Sequence, residues 1–88
     1  MCRNNVSSLF VPGYIHGYPK GMLTSECQFS TLGDAINKAE ELKRGGINVR
    51  GITYRPNNGN VFELRGNIRG KIHASPNNEK SFFMSQLP

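Results

Sequence analysis

The stretch FSTLGDAINKAEELKRGGINVRGITYRPNNGNVFELR, residues 29–65, decides the fold. Its first third is a helix. Leu32, Ala35, Ile36, Ala39 and Leu42 recur at helical spacing and form one apolar stripe. Ser30 or Thr31 can serve as the N-cap, and Thr31-Leu32-Gly33-Asp34 fits the start pattern in which a hydroxyl precedes an acid by three residues. Asp34 in the first turn and Lys43 and Arg44 in the last complement the helix dipole. Asp34–Lys38 and Glu40–Arg44 are spaced to pair on the outer face, each for about 0.2–0.5 kcal/mol. Gly45-Gly46 supplies the left-handed stop. Two alternating segments follow, Gly51–Arg55 and Val61–Arg65, separated by Pro-Asn-Asn-Gly-Asn. The turn is either a two-residue Asn58-Gly59 type I′ turn or a longer loop over all five residues. Ile52, Tyr54, Phe62 and Leu64 share one face of this hairpin and are expected to meet Leu32, Ile36 and Leu42. Thr53, Arg55, Val61, Glu63 and Arg65 point the other way.

Outward from this pair the signals shorten. Tyr14–Tyr18 alternates as a first strand, with Tyr14, His16 and Tyr18 on one side. Pro19-Lys20-Gly21 is a turn, and Met22–Phe29 is expected to be extended. Residues 67–74 alternate with Ile68, Gly70, Ile72 and Ala74 on one face and Asn67, Arg69, Lys71 and His73 on the other. Ser75–Glu79 is a turn and Lys80–Met84 a last strand. The fold class expected is α+β: a small antiparallel sheet with one α-helix packed across it and extended terminal arms. Residues 1–13 form the N-terminal arm, 14–84 the domain and 85–88 a tail.

A chain of 88 residues is one small domain with a thin stability margin. Its two cysteines, Cys2 and Cys27, make no disulfide framework, so an oligomer or larger assembly is the expected stabiliser. No basic residue flanks Cys27 in sequence, so it is expected to be a small buried hydrophobe, not a reactive thiol. The polar start and the short run Leu9-Phe10-Val11, stopped by Pro12, do not make a signal peptide or membrane span. The net charge of +5 permits nucleic acid, an anionic surface or an acidic protein as partner, and equally suits a solvated basic surface.

Several pieces together carry a resemblance. Phe29-Ser30-Thr31-Leu32, Ala35 and Ala39, Gly51-Ile52-Thr53-Tyr54, Phe62-Glu63-Leu64-Arg65, and the run Ala74–Phe82 look like the apple-like (PAN) pattern, over about Tyr14 to Met84. The nearest likeness is to its short viral and microbial members. The resemblance implies a compact sheet crossed by one helix, in modules that are mostly non-catalytic and bind proteins or carbohydrates. Similar short domains occur in structural proteins of phages and large viruses. The family also implies cysteines near Ala39 and Val49, tying the helix to the strand region. Here both positions are small and apolar. That exchange forfeits about 2–4 kcal/mol of crosslink stabilisation. It suits folding in a reducing cytosol and argues against an extracellular receptor-like role.

No enzymatic constellation is visible. His16, His73 and Cys27 lack ligand spacing, and Gly66–Lys71 lacks the spacing of a phosphate loop, so no catalytic residue, metal or cofactor is expected. The leading expectation is a non-catalytic structural protein of a virus or phage particle, a capsid decoration (cement) or minor tail or capsid protein. It would be assembled in the host cytoplasm and work by protein–protein contact with other virion proteins or copies of itself. The candidate partner-binding residues are Leu9, Phe10, Val11, Arg69, Lys71, His73, Phe83 and Met84. The alternative is a stand-alone apple-like module for glycan or protein ligands, through an exposed aromatic such as Tyr14 or Tyr18. A basic face binding nucleic acid ranks third, because the hairpin aromatics that could stack bases are assigned to the core. No membrane partner is expected.

Overall fold

The computed structural model describes residues 6–66 and 71–87. A five-stranded antiparallel sheet has the order β1-β7-β4-β5-β3, and a separate two-stranded sheet pairs β2 with β6. The strands are β1 (Val11–Pro12), β2 (Tyr14–Ile15), β3 (Gln28–Phe29), β4 (Gly51–Arg55), β5 (Val61–Arg65), β6 (Ile72–His73) and β7 (Lys80–Phe83). One helix, α1 (Leu32–Arg44), lies between β3 and β4 in sequence. The α+β architecture with one helix across a small antiparallel sheet is as the sequence implied.

The helix begins and ends where its caps direct. Thr31 Oγ1 accepts from the Asp34 N–H at 3.2 Å. At the other end the Gly46 N–H reaches Lys43 O at 3.0 Å and the Ile47 N–H reaches Leu42 O at 2.9 Å, a Schellman closure. Gly46 holds the left-handed φ of +90° that this closure requires. Ala35, Ile36 and Ala39 face inward against Cys27, Val49, Ile52, Leu64, Phe82 and Met84. Ala39 and Val49 thus fill by packing the positions where the apple-like resemblance implies a crosslink. On the outer face Lys38 pairs with Glu41, one turn away, at 3.2 Å.

The β4–β5 hairpin keeps the predicted register, with Ile52 opposite Leu64 and Tyr54 opposite Phe62. Its connection is the longer of the two expected loops, a 3₁₀ turn over Pro56–Asn58. β7 pairs with the free side of β4, placing Phe82 beside Ile52.

Several short elements differ from expectation. Residues 6–13 are no extended arm: Val6–Leu9 is a 3₁₀ turn, Val11–Pro12 pairs with β7, and Leu9 and Phe10 pack against the core. At the other end Met84 is core and Leu87 packs against it. Apolar residues near a chain end read alike whether they cover their own domain or a neighbour, and here their own sheet is the nearer apolar surface. The expected strand over Tyr14–Tyr18 shortens to Tyr14–Ile15. In place of an extended Met22–Phe29 there is a 3₁₀ turn, Thr24–Cys27, whose Glu26 carboxylate accepts from the Leu23 N–H at 2.7 Å. Of the alternating run at 67–74, Ile72–His73 forms β6 outside the main sheet, and residues 67–70 lie outside the described part.

The main sheet is covered on both sides. α1 covers one face. The β2–β6 pair covers the other, with Ile15 fully buried. Gly51 permits this close approach, because a Cβ there would collide with the Phe82 carbonyl and the Ile15 side chain. Gly51→Ala is therefore expected to destabilise the fold by about 1–3 kcal/mol through overpacking against backbone. Urea unfolding with an unchanged midpoint would contradict this account of the layer contact.

Candidate binding groove

One helix cannot cover a five-stranded face. It is about 10 Å wide, whereas five strands at about 4.8 Å spacing span nearly twice that. Ile52, Leu64 and Phe82 fall under cover and are fully buried. Tyr54 and Phe62 share their face but sit at the hairpin end and stay half-buried, contrary to the expectation that both lie in the core. Their rings stand 4.8 Å apart, inclined by 32°. Phe10 forms a wall, edge-on to Phe82 at 4.8 Å and 6.3 Å from Phe62. With Ser7, Pro12 and Lys80 these rings line a largely apolar groove of about 400 Å³. Its size falls within the range of ligand-accepting clefts. The Tyr54 hydroxyl donates to Asn60 Oδ1 at 2.8 Å, which fixes the ring at the mouth.

The candidate residues named from sequence do not form one surface. Phe10 lines the groove, and Leu9 packs against the core. Val11 is 44 % exposed but points to the opposite side of the sheet, in register with Ser81. Phe83 points to that side too and carries the Arg50 guanidinium 4.7 Å from its ring. Met84 is buried in the core and is corrected as a contact residue. Lys71 is exposed, and His73 stacks on Tyr14 at 5.3 Å with His16 edge-on at 6.4 Å. Arg69 lies outside the described residues. Tyr54, Phe62 and Lys80 were missed as site residues. The available signal was the excess of apolar sheet face over what a 13-residue helix can cover.

The opposite face of the sheet carries buried polar chemistry. Glu63 is fully buried, and its carboxylate accepts from the Tyr18 hydroxyl (3.1 Å), Gln28 Nε2 (2.6 Å), Arg55 Nη1 (3.2 Å) and Arg65 Nη2. Arg65 also donates to the Ile15 carbonyl at 2.6 Å and lies over the Tyr18 ring at 4.7 Å. Arg55 Nε reaches Glu79 at 2.9 Å, and Glu79 accepts from Ser75 Oγ at 2.7 Å. Beside them runs a hydroxyl chain. The Ile15 N–H donates to Thr53 Oγ1 (3.1 Å), Thr53 bonds Ser81 (2.8 Å), and Ser81 Oγ donates to the Gly13 carbonyl (2.8 Å). Burial raises the Glu63 pKa, but the bonds from Gln28 and Arg65 and the charges of Arg65 and Arg55 outweigh it, so the carboxyl sits below its ordinary value. Burial first, then the charges of Glu26 and Glu63, push the Cys27 thiol up. A polar cleft of about 180 Å³ beside the hairpin loop is lined by Arg55, Asn57, Asn58, Asn77 and Glu79, with Arg55 and Glu79 already paired.

No family model, curated relative or solved structure matches the chain. The apple-like resemblance thus rests on the residues that carry it. Among the described residues no helix is long and apolar enough to cross a membrane.

Two outcomes follow from the buried chemistry. Glu63 titrates lower in the folded than in the unfolded chain, so its stabilisation is complete above the ordinary carboxylate range and is lost as pH falls through the folded-state value. Glu63→Gln is expected to cost about 3–5 kcal/mol near neutral pH, because the buried Arg65 loses its counter-ion and Arg55 is left with Glu79 alone, and to flatten the acid limb of stability against pH. Urea titrations from pH 7 to pH 3 test both, and a variant that unfolds like the parent would contradict the role given to the carboxylate. Cys27, fully buried with a raised pKa, is expected to resist a thiol-specific disulfide reagent at pH 8 until denaturant is added. A Cys2→Ser background isolates this thiol, and rapid native labelling would refute its burial.

Proposed function

We propose that this chain is a non-catalytic interaction module that works by protein–protein contact through the Phe10–Tyr54–Phe62 groove. We further propose that its setting is a virus or phage particle, where it decorates or joins other structural proteins. The observation that carries the contact role is an apolar concavity lined by three aromatic rings on the helix side of the sheet. Aromatic-lined, partly desolvated pockets are where interface energy concentrates. The buried acid and base groups support no competing catalytic reading, since each named carboxylate oxygen of Glu63 is held by side-chain donors and the group is closed to a substrate. Of the two aromatics named for the glycan alternative, the Tyr18 ring lies under Arg65, and Tyr14, half-buried, stacks on His73.

The particle setting is supported by the likeness to short apple-like domains of phage and viral structural proteins. It draws nothing from the apolar chain ends, which are taken up by the protein's own sheet and core.

Site-specific photo-crosslinking in the cells that produce the native protein tests both parts. With p-benzoylphenylalanine at Tyr54, discrete crosslinks to a protein that sediments with particles are expected. The same probe at Lys43, on the solvated end of α1, is expected to give none. Equal crosslinking at both positions, or none at either, would sink the contact role. A crosslinked partner that never sediments with particles would sink the setting alone.

A further inference from the structure

The structure assigns the groove a partner of defined chemistry: a protein segment that inserts one large apolar side chain and carries a carboxylate beside it. This rests on the proposed contact role of the groove. The volume of about 400 Å³ accommodates a single aromatic or long aliphatic side chain with room for its backbone to cross the mouth. Tyr54 and Phe62 are cross-strand neighbours packed on each other at 4.8 Å, so they make one side of the groove, and Phe10, 6.3 Å from Phe62 and inclined by 50° to it, makes the other. That arrangement suits an inserted side chain over a sugar ring or a base laid on a surface. Strand addition at the neighbouring sheet edge is disfavoured, because β1 is two residues long and Pro12 brings no N–H to it.

Charge selects the flanking group. Lys80 lies exposed at the rim, directly across from Tyr54 in the β4–β7 register. The chain has six acidic residues, and all are committed elsewhere in the fold. Glu63 and Glu79 are bound to arginines behind the sheet, Glu26 caps its own 3₁₀ turn, and Asp34, Glu40 and Glu41 lie on α1. None of them lines the groove. Among the described residues the rim therefore carries a cation and no carboxylate, in a chain of net charge +5. A segment that brings its own carboxylate supplies the missing charge and gains on-rate from the overall field.

The test is titration of the isotope-labelled full chain with N-acetyl-Glu-Trp-Glu-amide, its Gln-Trp-Gln counterpart and its Lys-Trp-Lys counterpart, followed by amide NMR. The acidic peptide is expected to move the Phe10, Tyr54, Phe62 and Lys80 signals and to bind about fivefold more tightly than the basic one at low salt, a preference that shrinks at high salt. Lys80→Glu, at an exposed position, is expected to reverse that order. Equal binding of acidic and basic peptides, independent of salt and of Lys80→Glu, would overturn the acidic partner and leave the groove's contact role standing. Failure of every peptide to move these signals would overturn both. Movement of the same signals by cellohexaose, by a short thymidine strand, or by protein concentration alone would overturn the peptide occupant in favour of a glycan, a nucleic acid or a second copy.

Discussion

The ionised carboxylate of Glu63 is the constraint around which the rest of this small protein is arranged. It lies on the back face of the sheet, in the middle of β5 between β4 and β3, with no exposed surface. Its donors come from four separate places in the chain: Tyr18 beyond β2, Gln28 on β3, Arg55 at the end of β4, and Arg65 two residues along β5. An isolated carboxylate in such a place would cost far more than the fold could offset. With four donors converging it costs little, and it fixes the relative placement of every segment that supplies one. Gln28 and Thr53 are its direct neighbours across the ladders on either side, so its solvation and the strand register specify each other.

This arrangement bears on how 88 residues hold together without a crosslink at Ala39 and Val49. The helix side is an ordinary apolar contact built on alanines and aliphatics. The other side is polar. There the β2–β6 layer is attached through its backbone to side chains of the sheet: the Ile15 amide to Thr53, the Ile15 carbonyl to Arg65, and the Gly13 carbonyl to Ser81. Ile15 adds the apolar contact by packing over Gly51. Polar attachment of this kind is directional. It discriminates against misplaced layers more sharply than an apolar face, which tolerates sliding.

The helix and the central hairpin were legible in the sequence because each repeats a period long enough to be unambiguous and is closed by residues with specific backbone demands, Thr31, Gly46 and the Asn-Gly loop. The two-residue strands were not, since two residues carry no period. Alternation placed Glu63 and Arg65 away from the helix correctly, but parity tells only which face a residue takes and not what covers that face. Solvent is the usual partner of charged residues on an outward face, and the β2–β6 layer supplanted it. The groove escaped for the converse reason. Tyr54 and Phe62 do face the helix side, yet the width of α1 falls short of them, and neither residue announces that in sequence. Leu9, Phe10 and Met84 were legible as apolar residues in need of cover, without any sign that their own domain supplies it.

The hydroxyl chain from Ile15 to Gly13 has a consequence for the order in which the molecule can form. Thr53 becomes a two-sided relay only when Ser81 stands beside it, and Ser81 stands there only when β7 has paired with β4. β1 needs β7 as well, since Val11 and Pro12 lie opposite Ser81 and Lys80. β1 therefore finds its place only once β7, encoded far along the chain, has paired with β4. The helix and hairpin can assemble during synthesis. β1 and β7 close over them together, and only after residues 80–83 have emerged.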